Sequence, residues 1–315
     1  MEPVRREVVR ERGLIGVLFR NTLNGHGPQV IVVPGSGGGV PEHVAAMLAG
    51  EGFTSLALAY FGQPGLPRHL VEVPVEYIAT SIDWLRSRPH VTGDKVGIVG
   101  GSKGAELALV AASQFPSIGA VVAYAPSSVV WAGVEFFAWA SRPLFGVFGT
   151  ASSRSSWSLN GEGLPFVPHP AGVWPAITRH GISVAPSFDA ALDGARAVAA
   201  ATIPVERING RVLLVSGGAD RMWPSTRMAE MIVERFSLYG SSEKVVDLRY
   251  PGAGHRLLPR SAQHGIHRLA GVVDYGGTRD KNNTAARDAW RETVSFLRAE
   301  LGDHAGSPES GSSQL

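Results

Sequence analysis

The sequence of 315 residues contains no cysteine. Disulfide bonds, thiolate metal sites and a cysteine nucleophile are therefore excluded. Long apolar runs are also missing: no stretch approaches the roughly 20 residues that cross a bilayer, so we predict no membrane span. The N-terminus carries charge with no apolar run after it, which is not the pattern of a secretory signal. We therefore expect a cytoplasmic protein.

Neither sign of charge dominates the sequence. Lysine and arginine number 29 against 27 aspartates and glutamates, for a formal net charge of +2. The basic residues are scattered rather than gathered into a patch or stripe, which argues against nucleic-acid binding. An apolar fraction of 44% and a charged fraction of 18% are typical of a globular enzyme. We predict neither a metal nor a cofactor.

What the sequence does contain is a regular alternation of apolar strands and amphipathic helices. A strand pair is predicted within residues 8–20. Short apolar runs, typical of strands buried on both faces, follow at 30–33, 55–60, 96–99, 120–124, 212–215 and 245–250. Helical patterns lie at 41–49, 75–86, 105–115, 224–239 and 284–301. Repeated strand–helix units predict an α/β fold with a mostly parallel central sheet and helices on both faces.

The alternation stops between about residues 127 and 204, in a segment rich in Trp, Phe, Gly, Ser and Pro. A structureless loop of this length is improbable in a compact domain, so we predict an inserted helical cap. Its aromatic residues either line a pocket or simply pack the cap: Phe136, Phe137, Trp139, Phe145, Phe148, Trp157 and Trp174. One domain is predicted over residues 1–303, followed by a disordered tail at 304–315.

A G-x-S-x-G pattern occupies Gly100-Gly101-Ser102-Lys103-Gly104. It lies between an apolar run and a helical pattern, the strand–turn–helix setting in which α/β-hydrolases hold a nucleophilic serine. Glycines on either side leave room for the tight turn that such a serine needs. The alternative is a glycine-rich turn that binds phosphate or nothing. We predict that Ser102 is a nucleophile.

A serine hydroxyl needs a base to take its proton and an acid to orient that base. In α/β-hydrolases the acid follows the serine along the chain, and the histidine follows the acid. Asp220 and His255 have this order, and each lies just past a predicted strand end, where ligands meet open α/β sheets. We predict that they are the acid and the base. Their rivals are Asp189 and Glu206 for the acid, and His264 and His267 for the base.

An oxyanion intermediate needs two backbone N–H donors. We predict Lys103, next to the nucleophile at a helix start, and either Ser36 or Gly37 in the glycine-rich run 35–39. That run could instead cradle a phosphate, but it lacks the Gly-Lys-Ser/Thr ending of a P-loop. The Lys103 side chain is either solvated or holds an anionic substrate. Glu106 is expected to form a structural hydrogen bond or a surface pair.

Several stretches together resemble the acyl-CoA thioesterase / bile acid-CoA:amino acid N-acyltransferase family. They are PGSGGG at 34–39, LALAYFG at 56–62, GSKGAELAL at 101–109, APSSVVW at 125–131, WPS at 223–225, YPGAGH at 250–255 and GGT at 276–278. The resemblance covers roughly residues 10–301 and corresponds to the family's C-terminal catalytic domain. It implies an α/β-hydrolase domain, and its motifs carry the nucleophile–acid–base roles onto Ser102, Asp220 and His255.

The resemblance also implies the reaction. The amino-acid-conjugating branch typically uses a cysteine nucleophile and the thioesterase branch a serine, so Ser102 favours hydrolysis of an acyl thioester or related ester. The partner would be a small-molecule acyl substrate, carried by coenzyme A or by a carrier protein. Acyl transfer to an amine or alcohol is one alternative; a non-hydrolytic cyclase or binding protein on the same scaffold is another. The acyl chain and the oligomeric state stay open.

The sequence departs from the family pattern in three places. Two-domain members carry an N-terminal β-sandwich domain, whereas here a short strand pair precedes the catalytic sheet. Members often have paired acids where this chain has Ala219-Asp220. The proline-rich stretch that follows the family's histidine is replaced by Arg256-Leu257-Leu258-Pro259-Arg260.

Overall fold

A computed structural model describes residues 4–22, 26–89, 91–136, 150–169, 175–259 and 272–302. Its strands are β1 Val4–Val9, β2 Ile15–Asn21, β3 Gly27–Val33, β4 Thr54–Ala59, β5 Val73–Pro74, β6 Val91–Gly101, β7 Ile118–Tyr124, β8 Ala132–Glu135, β9 Thr150–Ser155, β10 Trp157–Leu159, β11 Glu162–Gly163, β12 Ala176–Thr178, β13 Gly181–Ser183, β14 Arg211–Gly217 and β15 Val245–Tyr250. Its α-helices are α1 Glu42–Gly50, α2 Glu76–Arg86, α3 Lys103–Gln114, α4 Ala185–Leu192, α5 Ala195–Ala201, α6 Ser225–Leu238 and α7 Arg279–Leu301. Two 3₁₀ turns lie at Val205–Arg207 and Ser242–Lys244.

Eight of these strands form one central sheet in the order β1-β2-β4-β3-β6-β7-β14-β15. The six strands from β4 to β15 in that order run parallel. Strand β2 is antiparallel to both β4 and β1. Strands β1 and β2 are the predicted N-terminal strand pair. The prediction of a mostly parallel sheet is confirmed.

Strand β3 shows why the helices lie on both faces of the sheet. Successive side chains of a strand point to opposite faces, so a continuous apolar run needs cover on both. Val30 and Val32 join a buried cluster with α1 and α7. Ile31 and Val33 join a second cluster with α2, α3 and α6. The sheet is thus the middle of three layers, as predicted.

Helix α7 closes one face and is longer than predicted, since it begins at residue 279 rather than 284. Thr278 caps its first turn by accepting a hydrogen bond from the Lys281 N–H at 3.3 Å. A side chain at Gly97 would come 2.7 Å from Leu301, so this glycine lets α7 lie close against β6. Among the helices that the structure describes, none has the length and apolarity that a bilayer crossing requires.

The segment between β7 and β14 differs from the predicted helical cap. Its described residues form the six short strands β8–β13 before the two short helices α4 and α5. Strand β10 pairs with β5, so Trp157 is joined to Val73 far back in the chain. Trp157 is fully buried and Phe136 stacks on Phe61 at 5.6 Å. The other aromatic residues named for this segment lie outside the described residues, as does the tail: Phe137, Trp139, Phe145, Phe148, Trp174 and 304–315.

Candidate active site

Ser102 occupies a sharp turn between β6 and α3. Its backbone angles are φ 57° and ψ −124°, a left-handed conformation that side-chain-bearing residues rarely adopt. The turn is held by the Ser102 N–H, which donates to the Tyr124 carbonyl oxygen at 2.8 Å. Strained backbone of this kind persists where the surrounding structure enforces it, and it is common at functional sites.

Two glycines allow the turn around Ser102 to be so tight. A Cβ atom on Gly100 would lie 2.2 Å from the Gly104 carbonyl oxygen. A Cβ atom on Gly104 would lie 2.4 Å from the Pro34 carbonyl oxygen, at the end of β3. Neither position can hold a side chain without movement of backbone. The start of α3 is therefore packed directly against the loop that follows β3.

That loop contains the glycine-rich run in which we predicted an oxyanion donor. A Cβ atom on Gly35 would lie 3.5 Å from the Ser102 Cβ, so the run begins beside the serine. The Gly38 N–H donates to the Gly35 carbonyl oxygen at 3.0 Å, which puts Ser36 and Gly37 at the centre of a turn. Lys103, which follows Ser102, is the first residue of α3, and its N–H has no acceptor within the helix.

Asp220 and His255, predicted from different loops, are in direct contact. The His255 Nδ1 lies 2.8 Å from the Asp220 Oδ2, and the two side chains are only 9% and 2% exposed. The Asp220 Oδ2 also accepts from the Ser225 hydroxyl at 2.8 Å. Its Oδ1 accepts from the N–H groups of Met222 at 2.8 Å and Trp223 at 3.3 Å. The carboxylate is thus fixed by three donors from its own loop and one from His255.

Three loops meet at this acid–histidine pair. The Ala219 N–H donates to the Ala253 carbonyl oxygen at 2.9 Å, and the His255 N–H donates to Tyr275 at 2.8 Å. A Cβ atom on Gly254 would come 2.2 Å from the Gly276 carbonyl oxygen, so the loops approach as closely as their backbones permit. The glycines at 252, 254, 276 and 277 make this close packing sterically possible.

The rival acids have other partners. Asp189 accepts from Arg227 at 3.3 Å, and Glu206 from Arg235 at 2.5 Å. The bond to Arg235 holds the pKa of the Glu206 carboxyl below its ordinary value. The rival histidines His264 and His267 lie outside the described residues. Within the described part of the chain, no group of three or more metal-ligating side chains is placed to hold an ion.

The environment of the Lys103 side chain differs from both predictions, which were exposure to solvent and contact with an anionic substrate. It is buried, and its Nζ lies 2.8 Å from both carboxylate oxygens of Glu106. Burial lowers the pKa of Lys103 and raises that of Glu106, and each charge partly offsets the effect on the other. Glu106 also accepts from the Trp131 N–H at 3.0 Å and the Trp157 indole at 2.8 Å. The structural interpretation of Glu106 is therefore confirmed.

A chain of ring contacts runs from the segment after β7 to His255. His169 packs edge-on against Phe188 at 4.7 Å, Phe188 against Trp223 at 5.7 Å, and Trp223 against His255 at 5.8 Å. Burial lowers the pKa of His169 to about 4, and the Lys103 charge adds to this effect. No pattern in the sequence pointed to these contacts, because their residues are far apart along the chain.

Comparison with known proteins places the chain beside acyl-CoA enzymes. A sequence model described as BAAT / Acyl-CoA thioester hydrolase C terminal matches residues 73–303. Acyl-coenzyme A thioesterase 2, mitochondrial, from Mus musculus is 31% identical over 309 residues, 95% of this chain and 61% of that protein. Acyl-coenzyme A amino acid N-acyltransferase 1 from Mus musculus is 27% identical over 302 residues, 95% of this chain and 66% of that protein. The chain thus spans about three fifths to two thirds of these relatives.

The fold is that of the α/β-hydrolases. The crystal structure of a putative dienelactone hydrolase from Klebsiella pneumoniae subsp. pneumoniae MGH 78578 superimposes with a TM-score of 0.56. The alignment covers 94% of this chain and 98% of that one. With 16% sequence identity, this likeness establishes the architecture and nothing about the substrate.

Proposed function

Because this chain belongs to the BAAT / acyl-CoA thioester hydrolase C-terminal family, we propose that it hydrolyses an acyl thioester through Ser102, His255 and Asp220. The observation that carries the proposal is the 2.8 Å bond between the His255 Nδ1 and the Asp220 Oδ2. It comes from residues that follow β14 and β15, at the same edge of the sheet as the strained Ser102 turn after β6.

In the proposed reaction the Ser102 oxygen attacks the thioester carbonyl while the His255 Nε2 takes its proton. The Asp220 carboxylate accepts a hydrogen bond from the Nδ1–H of the neutral ring, which leaves the basic nitrogen at Nε2. Collapse of the tetrahedral intermediate breaks the carbon–sulfur bond, and His255 returns the proton to the departing thiolate. Water, deprotonated by His255, then attacks the acyl-enzyme carbonyl. The carbon–oxygen bond to Ser102 breaks as His255 returns the proton to the Ser102 oxygen, which releases the acyl group as a carboxylic acid.

The negative oxygen of each intermediate would be stabilised by backbone N–H groups. We propose Lys103 and either Ser36 or Gly37 for this role. Support comes from the free first-turn N–H of Lys103 and from the 35–38 turn, which begins beside Ser102. Donors that are already fixed need no reorganisation as charge develops, and one such donor is worth roughly 10²–10³ in kcat.

Acyl transfer is the second candidate, since one relative is named an amino acid N-acyltransferase. The same acyl-enzyme would then be resolved by an amine instead of water. We favour hydrolysis because the nucleophile is a serine in a chain without cysteine. The carrier of the acyl group, coenzyme A or a protein, belongs to the proposal. A cytoplasmic location is likewise a proposal. The mouse thioesterase differs in this respect, since its name gives a mitochondrial location.

The test is to incubate the chain with short acyl-CoA thioesters and follow thiol release and the acyl-enzyme by mass spectrometry. Ser102→Ala should lower turnover by about 10⁴- to 10⁶-fold and abolish labelling by a fluorophosphonate probe. The matched control is Ser113→Ala, a buried serine later in α3, which should stay active. Near-normal hydrolysis by Ser102→Ala would overturn the assignment.

A second experiment separates acyl transfer from hydrolysis, by analysis of the products that form when glycine, taurine or an alcohol is present. If the wild type shows neither turnover nor labelling, a non-hydrolytic role is indicated.

A further inference from the structure

Two buried hydrogen-bond donors without a partner flank His255. Six buried side-chain atoms in the described residues have no hydrogen-bond partner: Gln29 Oε1, Glu76 Oε2, Arg88 Nε, Trp223 Nε1, Asp247 Oδ1 and Arg256 Nη2. The Trp223 ring lies 5.8 Å from the ring of the predicted base, and Arg256 follows that base directly in the sequence. Both atoms are donors, so the surroundings of His255 are short of acceptors. Burying a donor without an acceptor costs free energy, and such an exception needs an explanation.

Arg256 is held close to the reacting groups. Its Cζ lies 3.5 Å above the Tyr275 ring, and the Tyr275 and His255 rings are 6.3 Å apart. The guanidinium is therefore within about 10 Å of the centre of the His255 ring. Stacking on an aromatic face fixes the plane of a guanidinium and leaves its edge free to bind.

The acids nearest to Arg256 along these loops are already occupied. Both oxygens of Asp220 accept from other groups, four donors in all. Asp274, beside Tyr275, accepts from Thr178 at 2.7 Å and from the Gly276 N–H at 2.9 Å, and it pairs with Arg221 at 3.5 Å. Among the described residues, no carboxylate forms an ion pair with Arg256.

We infer that Arg256 binds an anionic oxygen group of the substrate near the scissile bond. The inference rests on the proposed function and names a feature of its substrate. A planar guanidinium pairs with carboxylate or phosphate through parallel hydrogen bonds. The anion has two sources: a carboxylate at the far end of a short acyl group, or a phosphate of the leaving group.

The experiment compares thioesters with and without the terminal carboxylate, each carried by CoA or by N-acetylcysteamine, which corresponds to the end of the CoA arm and lacks its phosphates and nucleoside. Butyryl-CoA and succinyl-CoA have acyl chains of equal length, and only the second ends in a carboxylate. The corresponding N-acetylcysteamine thioesters lack the phosphates. KM and kcat are measured for all four with wild type, Arg256→Gln and Arg256→Lys.

For a substrate that carries the recognised anion, Arg256→Gln should raise KM by roughly ten- to a hundredfold. Arg256→Lys should restore part of the loss, since it keeps the charge without the planar fork. An effect on both succinyl thioesters identifies the carboxylate, and an effect on both CoA thioesters identifies the phosphate. If KM for neutral butyryl-N-acetylcysteamine rises as much as the others, or if no KM changes, there is no anion site.

A binding measurement keeps the outcome separate from turnover. Calorimetry with Ser102→Ala and with Ser102→Ala/Arg256→Gln gives the dissociation constants of the same four compounds. Loss of affinity confined to one anionic class supports the subsite, whether or not the wild type hydrolyses the compounds. Absence of hydrolysis by the wild type would count against the proposed function and not against the subsite. Equal affinities in the two proteins overturn the inference. Arg291→Gln, which removes an exposed arginine on α7, is the matched control, and circular dichroism verifies folding.

Discussion

The Nζ of Lys103 lies 2.8 Å from both carboxylate oxygens of Glu106, and both side chains are buried beside Ser102. Glu106 in turn holds the Trp131 N–H and the Trp157 indole, which belong to the segment after β7. One carboxylate therefore joins the start of α3 to the elements that cover it. Among the described residues its ion-pair partner is Lys103, so removal of either side chain leaves the other charge buried without that partner.

Glu106→Ala should lower the free energy of unfolding by roughly 3–5 kcal/mol, because it leaves the Lys103 charge buried and unpaired. Urea unfolding followed by circular dichroism measures the change. The double variant Lys103→Met/Glu106→Leu should be more stable than Glu106→Ala, because no charge then remains to be buried. A loss below about 1 kcal/mol in Glu106→Ala would contradict the interpretation. Glu42→Ala, which breaks an exposed pair with Arg6, should cost no more than about 1 kcal/mol.

Asp220→Asn should lower kcat by about 10⁴-fold, because an amide at this position can stabilise the wrong tautomer of His255. Stability should change far less, since the asparagine oxygen can still accept from the Met222 and Trp223 N–H groups. Steady-state hydrolysis of an acyl thioester is the measurement. Asp189→Asn removes an acid that pairs with Arg227 near the surface and should leave kcat within about twofold. A large loss of kcat in Asp189→Asn together with a small one in Asp220→Asn would identify Asp189 as the acid.

Gly104→Ala should lower both stability and turnover. Its added methyl group would be 2.4 Å from the Pro34 carbonyl oxygen, so either α3 or the 35–38 turn must move. A backbone clash of this kind costs on the order of 1–3 kcal/mol. Gly50→Ala places its methyl group in open space at the end of α1 and should be neutral or stabilising by up to about 1 kcal/mol. Thermal unfolding and kcat of the two variants test this pair, and equal effects would show that the contact is unimportant.

The free energy of unfolding should fall as the pH is lowered from about 6.5 to about 4. Burial lowers the pKa of His169 from 6.5 to about 4 in the folded state. Above pH 6.5 the imidazole is neutral in both states; below it, the unfolded chain takes up the proton first and becomes favoured. The loss is at most roughly 3 kcal/mol.

His169→Phe keeps a ring between Trp131 and Phe188 and should remove that part of the pH dependence. Urea unfolding at a series of pH values is the measurement. A wild-type slope in His169→Phe would assign the pH dependence to other groups.

The parallel sheet was predictable because its strands must be apolar on both faces. Continuous runs such as 30–33 and 120–124 therefore stand out without any knowledge of their neighbours. The short strands β8–β13 carry no such signal. Their sequences mix Ser, Thr, Arg and Gly, and β10 depends on a partner about eighty residues earlier in the chain. Pairing between distant segments, rather than local propensity, decides those elements.

The candidate site likewise contains residues that the sequence could predict and residues whose surroundings needed the fold. Ser102, Asp220 and His255 could be named because each follows a predicted strand and the chain order is characteristic. The environment of Lys103 could not, because a lysine at a helix start is ordinarily solvated. Only the packing of Trp131 and Trp157 buries it. Arg256 gave a single signal, its place in a stretch that departs from the family, and its stacking on Tyr275 needed the fold.

Among the described residues, β1 and β15 are the outer strands of the central sheet, and both carry charged side chains. Strand β1 exposes Arg5 and Arg6, while β15 carries Asp247 and Arg249, which pair with each other at 2.6 Å. A strand arriving from another molecule would have to settle beside these charges and strip them of water. Such borders resist edge-to-edge polymerisation. We therefore expect these charges to disfavour fibre formation between folded molecules at high concentration.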